Sequence, residues 1–501
     1  MRTGTAIRRF DRGWWVTVLG GGAVLTTLAV GWWQLLFLPL GASHDGRINA
    51  RFGLHVRNLF EGGLPGSDYL ASMAPFSEQP YVHHPPLLNL LHALVGAVLG
   101  QGEWQLHLIG YIAGLATVAG LLWLARELGL GATGAVLAVA LVAGTPMFWI
   151  YARLGLGVSL MLVLLALSVR HLRASDAELS PVPGGPVPGG DGGSGTGPSA
   201  TLLATAAGVT AFSGWTGALL VAVLVVWGLR YPRLRRACWS VGAAGAAAVA
   251  VTLVWAVTVG DVTELAAHAS NRRQWPPWDA LVENYRWFYG TLFARWIRWL
   301  IVPAIVMGVA DRRTRMSSVA VMAALAVWTL ANPDAAYVHD YWTYPLLVPV
   351  FLGMAAILDR LGCDVPGVTP RSGWERARLL MVAVLVVVAL LGFRGLGPYR
   401  QAYFEATSDA GRLIRVVRPG PAQEVAWVAE GVDPLPYWAS YYWDLPVTEV
   451  PLDGDGLRSA MDTDLVLARS DRLPERMRLE VEPVAEQGRY ALFTAGSLRL
   501  P

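Results

Sequence analysis

Long apolar segments separated by short polar connections recur along most of the chain. Segments such as "VLAVALVAGTPMFWI" and "MVAVLVVVALLGF" have the character of membrane-spanning helices, which need about 20 residues to cross the hydrocarbon layer. Backbone polar groups in lipid must be satisfied within their own segment, so these stretches are expected to be α-helical. The pattern predicts an all-α polytopic membrane protein.

The distribution of arginine predicts the orientation, because short arginine-rich connections stay on the cytoplasmic side. Arginine is concentrated in the N-terminus, "ARELG", "RHLRAS", "RYPRLRR", "DRRTR" and "DRLGCDVPGVTPRSGWERAR". If all six are cytoplasmic, the chain crosses the membrane about eleven times. The predicted spans are 14–38, 104–125, 132–150, 155–172, 200–213, 215–230, 237–258, 295–310, 316–332, 343–358 and 379–397.

One apolar run, Pro85–Leu99, is left out of this path because counting it as a span would invert every later connection. The run is short for a span, begins with Pro-Pro and contains His92. Short apolar stretches of this kind lie on or dip into a membrane face. We expect it to lie on the external face.

Two domains are predicted. Residues 1–397 form the transmembrane domain, with 41–103 as the first external loop and 174–199, which includes "SPVPGGPVPGGDGGSGTGPS", as a disordered cytoplasmic linker. In residues 398–501 strand-like pieces such as "TDLVLARS" and "RYALFTA" accompany a helical segment. This part is expected to be a small extracytoplasmic α/β domain.

Composition narrows the chemistry. Charged residues make up only 15% of the chain, against about 25% in soluble domains. All 39 basic residues are arginine, which excludes a Schiff-base or Walker lysine. The two cysteines form neither a disulfide framework nor a zinc site. The net charge of +3 gives no reason to predict nucleic-acid binding.

The first external loop contains the strongest candidate for catalysis. It begins "GASHDGRINARFGLHVRNLF", with apolar residues spaced as in an amphipathic helix. One interpretation makes Ser43, His44 and Asp45 a helix-capping cluster. The other makes Asp45 a general base at the membrane surface, with Arg47 near enough to bind an anionic group.

Further polar residues in the external connections could complete a site. His83 and His84 precede Pro-Pro; adjacent histidines point in different directions, so they suit hydrogen bonding to a phosphate or hydroxyl better than one shared metal. Aromatic residues here have an alternative role in the interfacial belt, and the basic loop around 272 could rest on lipid headgroups. The remaining candidates are Tyr151, Arg153, Arg272, Arg273, Asp334, His339, Asp340 and Tyr341.

All these candidates fall on one predicted face, whereas the span centres contain almost no charge. Transporters and proton pumps usually bury ionisable groups near the membrane midplane. The pattern favours chemistry on a lipid-embedded substrate at the outer surface.

The motifs also resemble a known family. A first-loop Asp, then "YVHHPPLLNLLHALVGAVLGQGEWQLHLIGYIAGLATVAGLLWLAREL", "YARLG" and "HDYWTYPLLVPVFLG" are similar to the GT-C membrane glycosyltransferases, in the protein O-mannosyltransferase and aminoarabinose transferase branch. The resemblance implies transfer of a sugar from a polyprenyl-phosphate donor, with inversion, on the external face. It also implies that Asp45 is the general base, that His83, His84 and Arg153 border the active site, and that His339 and Tyr341 form a late His-Tyr motif.

Several expectations accompany this resemblance. The implied partners are a polyprenyl-phosphate-linked sugar donor, a lipid, glycan or protein acceptor, and membrane lipid. The expected location is a bacterial plasma membrane, with a cytoplasmic N-terminus. No cofactor is predicted with certainty, and a divalent cation stays an open alternative. Two other functions also stay open: a lipid or sugar-lipid transporter, and a non-catalytic scaffold for envelope assembly.

Overall fold

The protein is mostly helical and divides into two compact units in a computed structural model. The first unit comprises Met1–Trp32, His83–Leu87 and Gly110–Arg394, and the second comprises Trp33–Val82, Leu88–Ile109 and Gly395–Pro501. The structure describes residues 8–37, 40, 44–179, 198–293, 295–338, 340–363, 386, 412–417, 419–420, 423–429, 437–470, 473 and 482–495.

Sixteen helices lie between residues 8 and 358 in the described part of the chain. They are α1 (Arg8–Leu36), α2 (His44–Gly66), α3 (Leu87–Leu99), α4 (Glu103–Glu127), α5 (Ala132–Ala143), α6 (Pro146–Tyr151), α7 (Gly157–Leu179), α8 (Ala200–Ser213), α9 (Trp215–Gly228), α10 (Arg235–Val259), α11 (Val262–Arg272), α12 (Trp278–Leu292), α13 (Arg295–Ala310), α14 (Arg315–Ala331), α15 (Pro333–Val338) and α16 (Leu347–Leu358). Short 3₁₀ turns cover Pro232–Leu234 and Asp340–Leu346, and a π turn covers Asp359–Cys363.

Membrane-spanning potential is concentrated in a few of these helices. Among the described residues, 5 helical segments are long and apolar enough to cross a membrane: Val16–Leu36, Glu103–Glu127, Gly157–Ser175, Pro232–Val259 and Trp342–Leu361. The pair Ile297–Ala310 and Arg315–Ala331, bent by 117°, gives a sixth if it counts as one span. Helices α3, α5, α8 and α9 are apolar but shorter.

The expected path of about eleven spans is therefore supported only in part. The predicted span 132–150 is divided into α5 and α6 at Gly144–Thr145. Apart from residue 386, the predicted span 379–397 lies outside the described residues. Helix α7 extends to Leu179, so residues 174–179 are helical, not the start of a linker.

Glycine permits a close helix crossing in the first unit. Helices α13 and α16 approach so closely at Gly353 that a Cβ there would lie 1.7 Å from the carbonyl oxygen of Ala304. No side chain fits in that space, so the crossing depends on glycine at this position. Helix α16 also packs on α5, and residues 347–356 of α16 are buried.

The second unit contains a five-stranded sheet with two further short helices, α17 (Tyr437–Trp443) and α18 (Gly454–Ala460). In the sheet β1 pairs in parallel with β2 and β3, whereas β5 is antiparallel to both β3 and β4, giving the order β2-β1-β3-β5-β4. The strands are β1 (Val425–Ala429), β2 (Val447–Pro451), β3 (Leu465–Arg469), β4 (Ala485–Gln487) and β5 (Tyr490–Thr494).

Alternate residues of the strands build two separate cores, as expected when both faces of a sheet are covered. One face presents Trp427, Leu467 and Leu492 to a cluster that also contains Phe52 and Leu106 from the first loop and the start of α4. The opposite face contributes residues such as Val466 and Phe493 to a second cluster. The small sheet agrees with the α/β character predicted for the C-terminal region.

Candidate functional site

Helix α2 begins at His44, so the predicted base Asp45 lies in its first turn. The helix forms as its apolar spacing predicts: Phe52 and Val56 are buried, and Ile48 and Leu59 pack against the same hydrophobic clusters. The side chain of Asp45 lies outside the described residues. Its role as a base stays a prediction.

Arginines on α2 are held by aromatic rings and by the C-terminal part of the second unit. The Arg51 guanidinium carbon lies 4.1 Å from the centre of the Tyr81 ring, a cation–π distance. Arg57 donates to the carbonyl oxygen of Tyr441 at 3.0 Å and lies 2.9 Å from Asp444. The predicted ligand Arg47 lies on the same helix and is half-buried.

Three buried histidines, which our sequence analysis did not assign to a site, cluster in the second unit. His55 Nδ1 lies 2.8 Å from the carbonyl oxygen of Ser72, which fixes it as the N–H donor. His92 stacks on Phe52 with ring centres 4.3 Å apart. His107 Nδ1 lies 3.1 Å from the side-chain amide nitrogen of Asn49.

Burial keeps two of these imidazoles neutral. The pKa of His55 is lowered to about 3, first by burial and then by the charge of Arg51. The pKa of His92 is also lowered to about 3, first by burial and then by His55, His107 and Arg51. Neutral imidazoles in this cluster can donate and accept hydrogen bonds but add no positive charge.

A cavity of about 330 Å³ opens beside His92, a volume within the range of small-molecule pockets. Neither His92 Nδ1 nor Gln105 Oε1 has a hydrogen-bond partner among the described residues. Burial raises the pKa of the Tyr441 hydroxyl, which therefore remains a donor. The lining residues are Gly53, Val56, Arg57, His92, Gly96, Gly100, Gln101, Gly102, Glu103, Gln105, Leu106, Tyr441 and Tyr442.

Polar contacts join the rim of this cavity to Leu40, four residues after α1, and to Arg415. The Tyr442 hydroxyl accepts from the backbone N–H of Leu40 at 2.9 Å. Glu103, at the start of α4, lies 3.5 Å from Arg415. The cavity rim thus combines residues from the first loop, from α4 and from the C-terminal region.

The paired histidines belong to the first unit. His83 and His84 are half-buried, and the two prolines that follow them are buried. The indole N–H of Trp215, the first residue of α9, donates to the carbonyl oxygen of His83 at 2.9 Å. This bond fixes the backbone of the His-His step.

The second predicted external element is buried in the same unit. Tyr151 ends α6 and is 3% exposed, and Arg153 is 7% exposed. Arg153 Nε donates to the carbonyl oxygen of Trp149 at 3.4 Å. Helix α4 passes so close that a Cβ at Gly110 would lie 2.0 Å from the carbonyl oxygen of Arg153. A charged guanidinium at this depth needs polar partners.

Of the remaining candidates, the structure brings one pair together. Arg272 at the end of α11 lies 3.3 Å from Asp334 in α15. Arg273 is exposed next to them.

The late motif is less fully described. Asp340 and Tyr341 open the 3₁₀ turn that leads into α16, but their side chains, and the whole of His339, lie outside the described residues. The meeting of Asp45, His84 and His339 in one pocket accordingly stays a prediction.

Metal ligation was also left open by the sequence. No group of three or more His, Cys, Asp or Glu side chains in the described part of the chain could hold a metal ion. Because the side chain of Asp45 and the whole of His339 are outside that part, a divalent cation stays an open alternative.

Part of the chain matches a known protein family. Residues 83–178 match the family model described as dolichyl-phosphate-mannose-protein mannosyltransferase. That range runs from the paired histidines through α4 and Arg153 to the end of α7. No curated protein matches the chain closely enough in sequence to count as a relative.

Solved structures extend the likeness to nearly the whole chain. ArnT from Cupriavidus metallidurans bound to undecaprenyl phosphate matches with a TM-score of 0.51 at 15% identity, covering 98% of this chain and 100% of that one. Its apo form matches with a TM-score of 0.52 at 16% identity, covering 95% and 98%. The apo oligosaccharyltransferase from Archaeoglobus fulgidus matches at 12% identity with a TM-score of 0.49, covering 92% and 70%.

The chain has the fold of the GT-C membrane glycosyltransferases, and the resemblance predicted from its motifs is confirmed. The mannosyltransferase pattern at residues 83–178 lies within that fold.

Proposed function

We propose that the protein is an integral-membrane glycosyltransferase that moves a sugar from a polyprenyl-phosphate donor to an acceptor on the extracytoplasmic face. The observation that carries this proposal is the end-to-end likeness to ArnT, whose solved form is bound to undecaprenyl phosphate. The mannosyltransferase family pattern around the paired histidines supports it. The path of about eleven spans, with the N-terminus cytoplasmic, belongs to the same proposal.

Asp45 is the proposed general base. It lies in the first turn of α2, the next helix along the chain after α1. A carboxylate there would take the proton of the acceptor nucleophile as it attacks the anomeric carbon. The donor's C1–O bond to phosphate breaks as the new glycosidic bond forms, with inversion.

Cationic and hydrogen-bonding groups are proposed to stabilise the departing polyprenyl phosphate. Arg153 supplies a buried guanidinium in the part of the chain that matches the mannosyltransferase pattern. His83 and His84, on a backbone fixed by Trp215, supply imidazoles. Charge-assisted contacts of this kind offset the negative charge that develops on a phosphate leaving group.

The other predicted ligands are proposed to act around this centre. Arg47 would bind an anionic part of the acceptor, and the pair Arg272–Asp334 would orient Arg273 at the lipid surface. Tyr151, His339, Asp340 and Tyr341 are proposed to position the sugar.

The test is a transfer assay with membranes containing the protein and a panel of radiolabelled polyprenyl-phosphate sugars. Wild type is expected to transfer label from at least one donor. Asp45→Asn, which keeps the side-chain shape but removes the base, should lower the rate by about 10²–10⁴-fold. The matched control is Asp68→Asn in the same loop, which should retain wild-type transfer.

Two results would overturn the assignment. Wild-type turnover by Asp45→Asn would remove Asp45 from the base role. Accumulation of labelled lipid in the opposite leaflet without a glycosidic product would identify a transporter instead.

A further inference from the structure

A second cavity lies in the first unit, at the end of two candidate membrane spans. Its volume is about 410 Å³, and it is lined by Trp123, Arg126, Glu127, Arg170 and Arg173. Trp123, Arg126 and Glu127 belong to the last turns of α4, and Arg170 and Arg173 lie one turn apart on α7. The cavity therefore opens between two apolar helices at the level where their sequence becomes polar.

The charges in this cavity are unbalanced. Three guanidinium groups face a single carboxylate, Glu127, and that carboxylate accepts a hydrogen bond from the Trp123 indole at 3.0 Å. Within the described residues, Arg170 and Arg173 make no hydrogen bond or ion pair. Among the five lining residues the cations therefore outnumber the carboxylates, and the guanidinium groups of Arg170 and Arg173 have donors available.

In a neighbouring arginine-rich connection, the arginines are paired with carboxylates of the same chain. Arg313 and Arg360, at the ends of α13 and α16, both bind the buried carboxylate of Asp311 at 3.2 Å. Arg313 also contacts Asp359. There the arginines are neutralised within the chain, whereas no ion pair with a described side chain is made by Arg170 or Arg173.

The backbone also places Arg173 over the cavity. Its guanidinium lies above the loop that follows α4, where a Cβ at Gly129 would come within 2.9 Å of Nη2. Gly129 has φ 67°, a conformation that favours glycine. The loop therefore leaves room for the arginine head group close to the end of α4.

We propose that this cavity binds the phosphate of an anionic phospholipid headgroup. Two guanidinium forks suit phosphate oxygens, and the Trp123 ring is of the kind that sits at headgroup level beside the acyl chains. Basic pockets between membrane helices are recognised sites for anionic lipid headgroups. The opening between two apolar spans gives the lipid access from the bilayer.

The site is distinct from the proposed transferase centre, since none of its five residues belongs to the predicted catalytic or substrate set. Binding here would anchor the ends of α4 and α7 to the lipid. The ligand class is defined by the phosphate, so a free phosphate ion has to be distinguished from a lipid.

The experiment uses the purified full-length protein in mixed micelles and native mass spectrometry to count bound lipid. One arm titrates phosphatidylglycerol, a second titrates phosphatidylcholine, and a third adds inorganic phosphate to the phosphatidylglycerol complex. The variant is Arg170→Gln with Arg173→Gln. The matched control is Arg233→Gln with Arg235→Gln, which removes two exposed arginines from another connection.

Wild type is expected to retain phosphatidylglycerol in preference to phosphatidylcholine. Loss of two arginine contacts should weaken that binding about thirty-fold, while the control pair stays within about two-fold of wild type. Arg170→Lys with Arg173→Lys keeps both charges but loses the bidentate fork, so its affinity should lie between wild type and the Gln pair.

Three outcomes would overturn the proposal: equal binding of the two lipids, unchanged affinity in the Gln pair, or an equal loss in the control pair. Displacement of the lipid by millimolar inorganic phosphate would assign the cavity to a soluble anion instead. Because the readout is binding, none of these outcomes bears on sugar transfer by Asp45.

Discussion

Acidification is expected to destabilise the second unit through His55 and His92. Both imidazoles are buried, and burial lowers the pKa of each to about 3, against about 6.5 in an unfolded chain. Below pH 6.5 the unfolded state binds protons that the folded state cannot accept. Stability is therefore highest above that pH and falls as the pH drops from 6.5 towards 3.

The slope of stability against pH follows from this difference between the folded and unfolded pKa values. One group that is protonated only in the unfolded state contributes about 1.4 kcal/mol per pH unit. Two such histidines give about 2.7 kcal/mol per unit between roughly pH 6 and 4. A carboxylate whose pKa is the same in the folded and unfolded states adds nothing to this slope, so the histidines should dominate it. A loss of this size is a large fraction of a typical total stability of about 5–15 kcal/mol.

The assay is thermal unfolding of the purified protein in detergent, followed by intrinsic tryptophan fluorescence at closely spaced pH values. The double variant His55→Gln with His92→Gln removes both titrating groups and should show a much flatter dependence between pH 6 and 4, even if its midpoint at pH 7 is lower. The control His171→Gln, on α7 in the first unit, should retain the wild-type slope. Identical slopes in the wild type and the double variant would refute the linkage.

Two further predictions concern the packing of the first unit. Asp311→Asn should lower the free energy of unfolding by about 1–3 kcal/mol. The loss is smaller than for a fully buried pair because Arg313 and Arg360 are partly exposed. Thermal unfolding measures this loss, and an unchanged midpoint would contradict the prediction. Gly353→Val should abolish the close crossing of α13 and α16, because even its Cβ would lie 1.7 Å from the Ala304 carbonyl oxygen. Size-exclusion chromatography in detergent should then show loss of the monodisperse peak. A wild-type profile would show that the two helices can separate at low cost in free energy.

The parts of the fold that followed from the sequence are those with strong periodic signals. The stripe from Ile48 to Leu59 predicted α2, and the apolar runs predicted spans such as Glu103–Glu127 and Gly157–Ser175. The apolar run Pro85–Leu99 contains the short helix α3, and its place on the external face stays a prediction. These features depend on local spacing, which the sequence displays directly.

Features that depend on tertiary packing could not be predicted from the spacing of residues along the sequence. The interruption between α5 and α6 occurs inside one apolar run, where hydropathy is uniform; the caps at Gly144 and Thr145 were the available signal. The cluster of His55, His92 and His107 joins residues from three separate helices. Isolated histidines in apolar surroundings give no sign of their neighbours until the helices pack.

The candidate site also has residues that the sequence predicted and a cavity that it did not predict. Residues chosen for their type and motif, such as His83 and Arg153, lie within the segment that matches the mannosyltransferase pattern. The cavity beside His92 was missed because Tyr441 and Tyr442, which line it, lie more than 300 residues further along the chain. Only folding brings that part of the C-terminal region to the first loop.

The central proposal is that the first-loop carboxylate, the paired histidines and the late His-Asp-Tyr motif all act on one lipid-phosphate donor. Its most direct test is photo-crosslinking of the full-length protein with a polyprenyl-phosphate sugar that has a photoreactive group on the sugar, followed by peptide mapping. Adducts are expected in the peptides containing Asp45, His83–His84 and His339–Tyr341, and excess unlabelled donor should remove them. Competable adducts confined to other segments would contradict the claim.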